Sequence, residues 1–428
     1  MGRTLGLLTA VTLALWLSWM APWIGRGGGA SLAFAQNPGK AEARRTILID
    51  RKPARHWVGQ DPYSNFNGVA LDEERGEVFI SNDNTVTGES IEVFHTVFMP
   101  TDRITEPLRR ISGPKADLGS ICSLAVSPEF KEIFKVNSDG NGEMGVYPLD
   151  ANGDVEPIRW VPTSHGAWGV FLERKFDELF VTIEHVNRIA VYGRTAQLTD
   201  DDPVRRYIQG PKTQLADPHG IFVDVEKNEI YVANHGHWHY TEPGESFLQE
   251  GSVPPELKGK RSSYSDVIRP LLPSTGKFLP PSIAVYSRMA SGDVAPLRVI
   301  QGSMTRLNLP LGLFVDTVSH QIVVANGGDD SVLFFDANAT GDAAPVRVLK
   351  GPKSGVDGPT GVVIDKKRQE LWVTNWTNHT ATVYSRTADG DTAPLRTLRS
   401  APKGTQAMGF GGAGVAYNPK RDEILAPN

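Results

Sequence analysis

One hairpin pattern occurs seven times along the chain, and it constrains the fold more than any other feature. Each copy has a small residue, an alternating apolar run, a short polar turn and a second apolar run that usually ends in asparagine. The copies begin at Gly68, Ser123, Gly169, Gly220, Gly312, Gly361 and Gly414. Short apolar runs that are separated by turn residues predict antiparallel β-hairpins.

Six of these hairpins are followed by two further strand-like runs with a polar turn between them. In the unit that begins at Gly220, these runs are SIAVYSR from Ser282 and APLRVIQG from Ala295. Each unit therefore predicts four short strands, which we name A to D in chain order. Successive units begin 46 to 55 residues apart, except that the unit at Gly220 has 92 residues. Four strands at this period are typical of an all-β fold, the β-propeller, in which each unit forms one blade.

The number of blades depends on how the last hairpin is completed. It ends at Asn428, the last residue, so its sheet needs two more strands. Residues 46–50 (TILID) and 54–59 (ARHWVG) have the patterns of a C strand and a D strand. We therefore expect seven four-stranded blades, closed by N-terminal strands that complete the last blade, with six blades as the alternative. Closure of the ring removes the exposed sheet edges.

The repeat resembles that of NHL-repeat β-propellers, and it is similar to the bacterial lactonase-like and streptogramin-lyase-like propellers. The resemblance covers roughly residues 46–428 and is carried by PHGIFVD from Pro218, EIYVAN from Glu229 and the APLRVIQG type of strand. It implies the architecture more than the activity, because these relatives include hydrolases, lyases and proteins used only for binding. In these families the ligand-binding face carries the D-to-A and B-to-C loops.

The N-terminal segment predicts export. Arg3 precedes an apolar run from Leu5 to about Ile24, and Ala33 and Ala35 are small residues that suit a signal-peptidase site. We interpret residues 1–35 as a signal peptide or, alternatively, as a membrane anchor, since about 20 apolar residues can span a bilayer. The rest, 36–428, is expected to form a single propeller domain that is periplasmic or extracellular, either secreted or membrane-anchored.

The composition excludes a nucleic-acid partner and a disulfide-stabilised fold. Lys and Arg number 44 against 49 Asp and Glu, a net charge of −5, so no basic field attracts nucleic acid. Cys122 is the only cysteine, and a disulfide within the chain is therefore impossible. Contact with a membrane is expected only if the N-terminal segment stays uncleaved.

Two rings of side chains are expected at the mouth of the central channel. The first ring precedes each inner strand and consists of Asn67, Cys122, Trp168, His219, Leu311, Thr360 and Ala413. The second ring ends each B strand and consists of Asn82, Asn137, Glu184, Asn234, Asn326, Asn375 and Asn428. Asparagine at a strand end commonly caps a turn, so a structural role stands beside a ligand-binding one. The predicted ligand-binding residues are Asn67, Trp168, Asn234, Asn326 and Asn375.

The histidines concentrate in the third and fourth units. Six of the ten lie there, on loops of one face: His165, His185, His219, His235, His237 and His239. His235, His237 and His239 are candidate ligands of a divalent metal, zinc or calcium, because alternate residues of an extended segment project to the same side. His219 and Glu184, which brings a carboxylate to the second ring, are candidate catalytic groups. Alternatively, these histidines are ordinary polar loop residues.

Two functions are consistent with these patterns. The favoured one is a non-enzymatic protein that binds a small molecule, a carbohydrate or a protein on the channel-mouth face, because the first ring lacks a set of carboxylates. The alternative is a metal-dependent, lactonase-like hydrolase or lyase that uses the histidine cluster. An insertion at about 236–281 in blade four lies beside these histidines, and a loop of that length is usually functional or disordered.

Overall fold

The structure is a computed structural model, and it describes residues 65–82, 88–98, 103–137, 143–163, 166–184, 186–201, 203–236, 246–248, 271–273, 279–407, 416–418 and 423–425. These residues belong to one compact unit, Gln60–Asn428. The predictions for residues 1–35 and 46–59, and those for His237 and His239, lie outside the described residues. Within the described part of the chain, no helix has the length and apolar character needed to cross a membrane.

Six antiparallel sheets of four strands form the blades. Their strands are β1 (Phe66–Asp72), β2 (Glu77–Asn82), β3 (Ser90–His95) and β4 (Arg109–Ile111) in blade 1; β5 (Ile121–Ser127), β6 (Glu132–Asn137), β7 (Glu143–Pro148) and β8 (Arg159–Pro162) in blade 2; and β9 (Ala167–Glu173), β10 (Glu178–Ile183), β11 (Arg188–Gly193) and β12 (Val204–Gln209) in blade 3.

The other three blades follow the same plan, with one interruption. Blade 4 contains β13 (Pro218–Asp224), β14 (Glu229–Asn234), β17 (Ser282–Ser287) and β18 (Arg298–Ile300); blade 5 contains β19 (Pro310–Asp316), β20 (Gln321–Asn326), β21 (Ser331–Asp336) and β22 (Arg347–Leu349); and blade 6 contains β23 (Pro359–Asp365), β24 (Glu370–Asn375), β25 (Thr380–Ser385) and β26 (Arg396–Arg399). Between β14 and β17, β15 (Ser246–Leu248) pairs with β16 (Leu271–Pro273). Short 3₁₀ helices span Pro211–Thr213, Ser303–Thr305 and Gly327–Asp329.

The prediction of seven blades is wrong, because the ring closes directly between blade 6 and blade 1. Strand β23 packs against β1. The hydroxyl groups of Thr360 and Thr374 in blade 6 both donate hydrogen bonds to the backbone carbonyl of Asn67 in blade 1. The last predicted hairpin forms a separate two-stranded sheet of β27 (Ala416–Asn418) and β28 (Glu423–Leu425). The alternative of six blades is therefore the correct one.

Six arginines, one at or near the start of each D strand, join neighbouring blades in a complete cycle. Each donates to a backbone carbonyl of the next blade, in the pairs Arg109–Leu149, Arg159–Arg194, Arg206–Arg288, Arg298–Ala337, Arg347–Ala388 and Arg396–Thr96. Each also binds the first side chain of its own B strand, namely Glu77, Glu132, Glu178, Glu229, Gln321 and Glu370. These arginines thus serve ring closure, since the sixth one, Arg396, reaches the first blade.

The inner strands converge so closely near the axis that five of the six blades have glycine there, and blade 2 has the small Ser123. A Cβ atom at Gly220 would lie 2.4 Å from the carbonyl oxygen of Leu311 in the next blade. Each inner strand also has a β-bulge next to this position, which turns the preceding side chain out of the regular alternation. The apolar core fills the spaces between neighbouring blades, where side chains such as Phe66 and Trp372 pack together.

Candidate functional site

His219 lies at the centre of a buried polar cluster between blades 3 and 4. The chain enters β13 through Asp217, whose φ of 55° is in the left-handed region. The carbonyl oxygen of Asp217 accepts two hydrogen bonds, one from Nδ1 of His219 at 2.9 Å and one from the backbone N–H of His235 at 3.0 Å. Because a carbonyl is only an acceptor, Nδ1 of His219 carries a proton.

Glu184 faces the second nitrogen of His219. The Oε2 atom of Glu184 lies 3.2 Å from Nε2 of His219, and the two side chains are only 11% and 4% exposed. The strand register corrects the predicted ring position: Ile183, not Glu184, pairs with the first residue of the C strand, as asparagine does in blades 1, 4, 5 and 6. Glu184 therefore lies one residue past the ring of asparagines, in a position that allows its contact with His219.

Two more rings complete the cluster around His219. The His235 ring is stacked on it, with centroids 3.4 Å apart and planes at 19°, and Trp168 lies on it at 4.6 Å with a tilt of 53°. Nδ1 of His235 lies 3.7 Å from Oδ2 of Asp217. Glu184, Asp217, His219 and His235 are named here the blade 3–4 cluster.

The two imidazoles have opposite pKa shifts. Burial is the largest influence on His219 and lowers its pKa, but the hydrogen bond to Glu184 and the charges of Asp217 and Glu184 outweigh burial, so the pKa is raised. For His235, burial and the neighbouring His219 lower the pKa to about 4, and Asp217 opposes them only in part. The raised pKa favours the imidazolium form of His219, in which both nitrogens donate, while His235 is neutral at neutral pH. With two carboxylates beside these imidazoles, the net charge of the cluster is negative.

The donor atoms of this cluster fit a divalent cation. One atom each from Asp217, His219 and His235 lies within 4.8 Å of the others. Two imidazole nitrogens and a carboxylate oxygen suit zinc, whereas calcium prefers oxygen ligands throughout. His235 is already in the neutral form that binds a metal, while His219 would first have to lose a proton that Glu184 and Asp217 stabilise.

The asparagines of the second ring form hydrogen bonds within the protein. In four blades the side-chain oxygen accepts a backbone N–H of the preceding loop, and the amide nitrogen donates to the hydroxyl that begins the C strand; these are Asn82, Asn234, Asn326 and Asn375. In blade 2, Asn137 instead accepts from the buried Lys135 ammonium. These contacts support the structural interpretation, and a ligand-binding role for Asn234, Asn326 and Asn375 stays a prediction.

The first ring is packed rather than open. Cys122, Trp168 and Leu311 come from three different blades and form one buried apolar cluster, the axial plug. Asn67 is buried and donates to the carbonyl of Ile121 in blade 2. A ligand on this face would therefore reach Glu184 and Asp217 from the loop surface and not through the axis.

The sequence predicts that His219, His235 and Glu184 lie in one sector, and in the structure Glu184, His235 and the first-ring residue Trp168 all contact His219. The prediction missed Asp217 as a member of the site. Asp217 could have been found from its position directly before Pro218 and His219. Aspartate is one of the residues that tolerate the left-handed backbone conformation of a sharp turn. The predicted metal ligands His237 and His239 lie outside the described residues.

Comparison with known proteins identifies no family. No family model matches the chain, and no curated protein matches it. Among solved structures, it is similar to a functionally unknown protein from Desulfotomaculum acetoxidans (13% identity, 80% of this chain, 89% of that chain, TM-score 0.46). It is also similar to the WD40 β-propeller domain of Doa1 (8% identity, 80% of this chain, 84% of that chain, TM-score 0.45). A third similar structure is a chain of the nidogen/laminin complex (15% identity, 78% of this chain, 92% of that chain, TM-score 0.44). The chain is a six-bladed β-propeller, and the NHL-type subtype stays a prediction.

Proposed function

We propose that this protein is an exported, non-enzymatic binding protein that recognises its ligand or partner with the blade 3–4 cluster on the channel-mouth face. One observation carries the proposal. The cluster places two carboxylates, 11% and 20% exposed, beside two buried imidazoles, and none of the four side chains belongs to the repeat that builds the blades. Burial of charge costs folding free energy unless partners compensate for it. A cluster of this kind, confined to one sector of a repetitive ring, is better explained by recognition than by the fold.

The net negative charge of the cluster favours a cation as its ligand, and its donor set favours zinc. A bound zinc would be held by Asp217 and His235, with His219 as a third donor after deprotonation. Such an ion would supply a positive charge and an open coordination position to which a small molecule, a carbohydrate or a protein side chain could bind.

Zinc chloride titrated into the purified, metal-free protein by calorimetry tests this site. We expect about one ion per chain for the wild type. Binding should be lost in His235→Asn and Asp217→Asn, and it should be retained in His320→Asn, which changes an exposed histidine on a different turn. A variant with His237 and His239 both changed to alanine shows whether those two residues contribute. Zinc binding that is equal in the wild type and in His235→Asn would refute the site.

A second function, a lactonase-like hydrolase or lyase, is favoured by the hydrogen bond between His219 and Glu184. An imidazolium held by a carboxylate can transfer a proton to or from a bound substrate. Lactone hydrolysis by the zinc-loaded wild type, abolished in His219→Gln and weakened in Glu184→Gln, would replace the binding role by an enzymatic one.

Export is tested separately from recognition. The predicted signal peptide ends at Ala35, so the mature protein isolated from outside the cytoplasm should begin at Gln36. An intact N-terminus in the membrane fraction would favour the anchor instead, and recovery of full-length protein from the cytoplasm would contradict export.

A further inference from the structure

The central channel contains a cavity that is distinct from the blade 3–4 cluster. It has a volume of about 550 Å³ and is lined by the inner strands of the six blades. The axial plug closes it at one end, and the A-to-B turns, including Glu73, Arg174 and Lys366, surround it at the other. We propose that this cavity binds a neutral aromatic small molecule, which enters from the face that carries the A-to-B turns. A volume of this size is within the range of small-molecule sites.

The wall of the cavity has aromatic side chains on one side and smaller aliphatic side chains on the other. Blades 3, 4 and 5 place Phe171, Phe222 and Phe314 at the same position of the inner strand, three residues after the first ring. Their rings contact edge to face, with centroids 4.8 and 4.9 Å apart. The equivalent residues of blades 1, 2 and 6 are Ala70, Ala125 and Val363. The cavity therefore exists because three of the six positions lack a ring.

This asymmetry defines the shape of the ligand. Phe171 and Phe314 remain partly exposed inside the ring, so apolar surface that could be buried is left in contact with the cavity. A planar ring placed against Ala125 and Val363 would face the phenylalanines across the cavity and could pair with them as aromatic rings do. An aromatic ligand would thus add a fourth ring to the three phenylalanine rings of the cavity wall.

The polar groups at the mouth favour a neutral ligand. Both oxygens of Glu173 accept backbone N–H groups of its own turn, and the side chain of Lys366 donates to the hydroxyl of Thr317. Inside, the wall consists mostly of apolar side chains and glycines, and Ser123, Thr360 and Trp168 are uncharged hydrogen-bonding residues in it. A charged ligand would lose its hydration there without gaining an oppositely charged partner, whereas an apolar one gains by burial.

Titration with the neutral fluorescent probe N-phenyl-1-naphthylamine tests the proposal. We expect a saturable fluorescence increase with about one probe per chain in the wild type. The variant Ala125→Phe with Val363→Phe fills the small side of the cavity and should abolish binding. The blade accepts a ring at this position, since three blades already carry one. Leu395→Phe, which adds a ring to the exposed outer edge of blade 6, should bind like the wild type.

Further variants keep the test decisive. If the double variant does not fold, as judged by circular dichroism, Val363→Phe alone should still weaken binding. Phe314→Leu, which removes one ring of the wall, should weaken it about three- to tenfold. His235→Asn should leave probe binding unchanged, so failure of the proposed recognition site does not affect this one. Absence of saturable binding in the wild type, or equal affinity in the wild type and Val363→Phe, overturns the proposal.

Discussion

Arg396 in blade 6 donates a hydrogen bond of 3.0 Å to the backbone carbonyl of Thr96 in blade 1, a residue 300 positions away in the chain. The same guanidinium also binds both carboxylate oxygens of Glu370 in its own blade. The ion pair is largely buried, with side chains 16% and 11% exposed. The last arginine of the cycle therefore joins the two ends of the ring with charge-assisted hydrogen bonds.

Replacing Arg396 by methionine should destabilise the protein by about 3 kcal/mol, because Glu370 is left as a buried charge without its partner. The double variant Arg396→Met with Glu370→Gln should recover part of this loss. Arg205→Met, which removes a 46% exposed arginine 3.8 Å from Glu178, serves as the control, and its cost should be about 0 to 1 kcal/mol. Urea unfolding gives each value. Equal stability of Arg396→Met and the control would contradict closure by this contact.

Replacing Asn326 by alanine should cost about 2 to 3 kcal/mol, since the backbone N–H of Asn308 and the carbonyl of Arg306 lose their side-chain partner. The exposed Asn338 offers a control, and its change to alanine should cost under about 0.5 kcal/mol. Zinc affinity of the folded Asn326→Ala protein should equal that of the wild type. A stable variant with altered ligand binding would instead support the ligand-binding role.

The His235 pKa predicts a pH dependence of stability. The unfolded pKa is about 6.5 and the folded pKa is about 4, so the unfolded chain binds more protons between these values, and stability falls as the pH is lowered. From pH 7 to pH 5, the wild type should lose about 2 kcal/mol more than His235→Asn. Urea unfolding of both proteins at the two pH values, with a chelator present, measures the difference.

The raised pKa of His219 has the opposite effect on the pH dependence of stability. Its contribution is fully present below pH 6.5 and is lost as the pH rises through the folded pKa. Because His219 is present in both proteins, this contribution largely cancels in the comparison. Parallel loss of stability in the wild type and in His235→Asn would show that His235 is not kept neutral by its surroundings.

Alanine at Gly220 should destabilise the protein by more than about 3 kcal/mol, because the added Cβ would meet backbone atoms of Leu311 and Leu313 at 2.4 and 2.5 Å. Gly292 is the matched control. Its φ is 73°, but a Cβ there would have no atom within 4 Å, so Gly292→Ala should cost only about 1 to 2 kcal/mol of backbone strain. Thermal unfolding of the two variants gives the comparison, and the reverse order of stabilities would be incompatible with close packing at the axis.

The strands of each blade could be predicted from the sequence, but the number of blades could not. The predicted strand SIAVYSR corresponds to β17, Ser282–Ser287, since alternation and turn residues are local properties. The hairpin from Gly414 has the same local pattern as the other six. What excludes it from the ring is a set of contacts between distant residues, such as Arg396 with Thr96, and no local pattern encodes these contacts.

The candidate site was predictable at the level of a sector and not at the level of individual contacts. Loop positions in adjacent blades bring Glu184 of blade 3 to His219 of blade 4, and His235 of the same blade stacks on His219. The hydrogen bond to Glu184 depends on a single additional residue after β10, and the double role of the Asp217 carbonyl depends on a left-handed turn. Both depend on details of backbone geometry, and composition and residue spacing do not determine these details.

Each of the six sheets takes its four strands from one stretch of the chain, so no strand is shared across the point where the ring closes. A gene duplication or deletion of one repeat therefore adds or removes an entire blade and leaves no sheet with a missing strand. All six arginines make the same kind of contact with a backbone carbonyl of the blade that follows, and a carbonyl is present whatever the side chain. Ring size in such a lineage can change by single genetic steps, with the curvature of the ring as the remaining constraint.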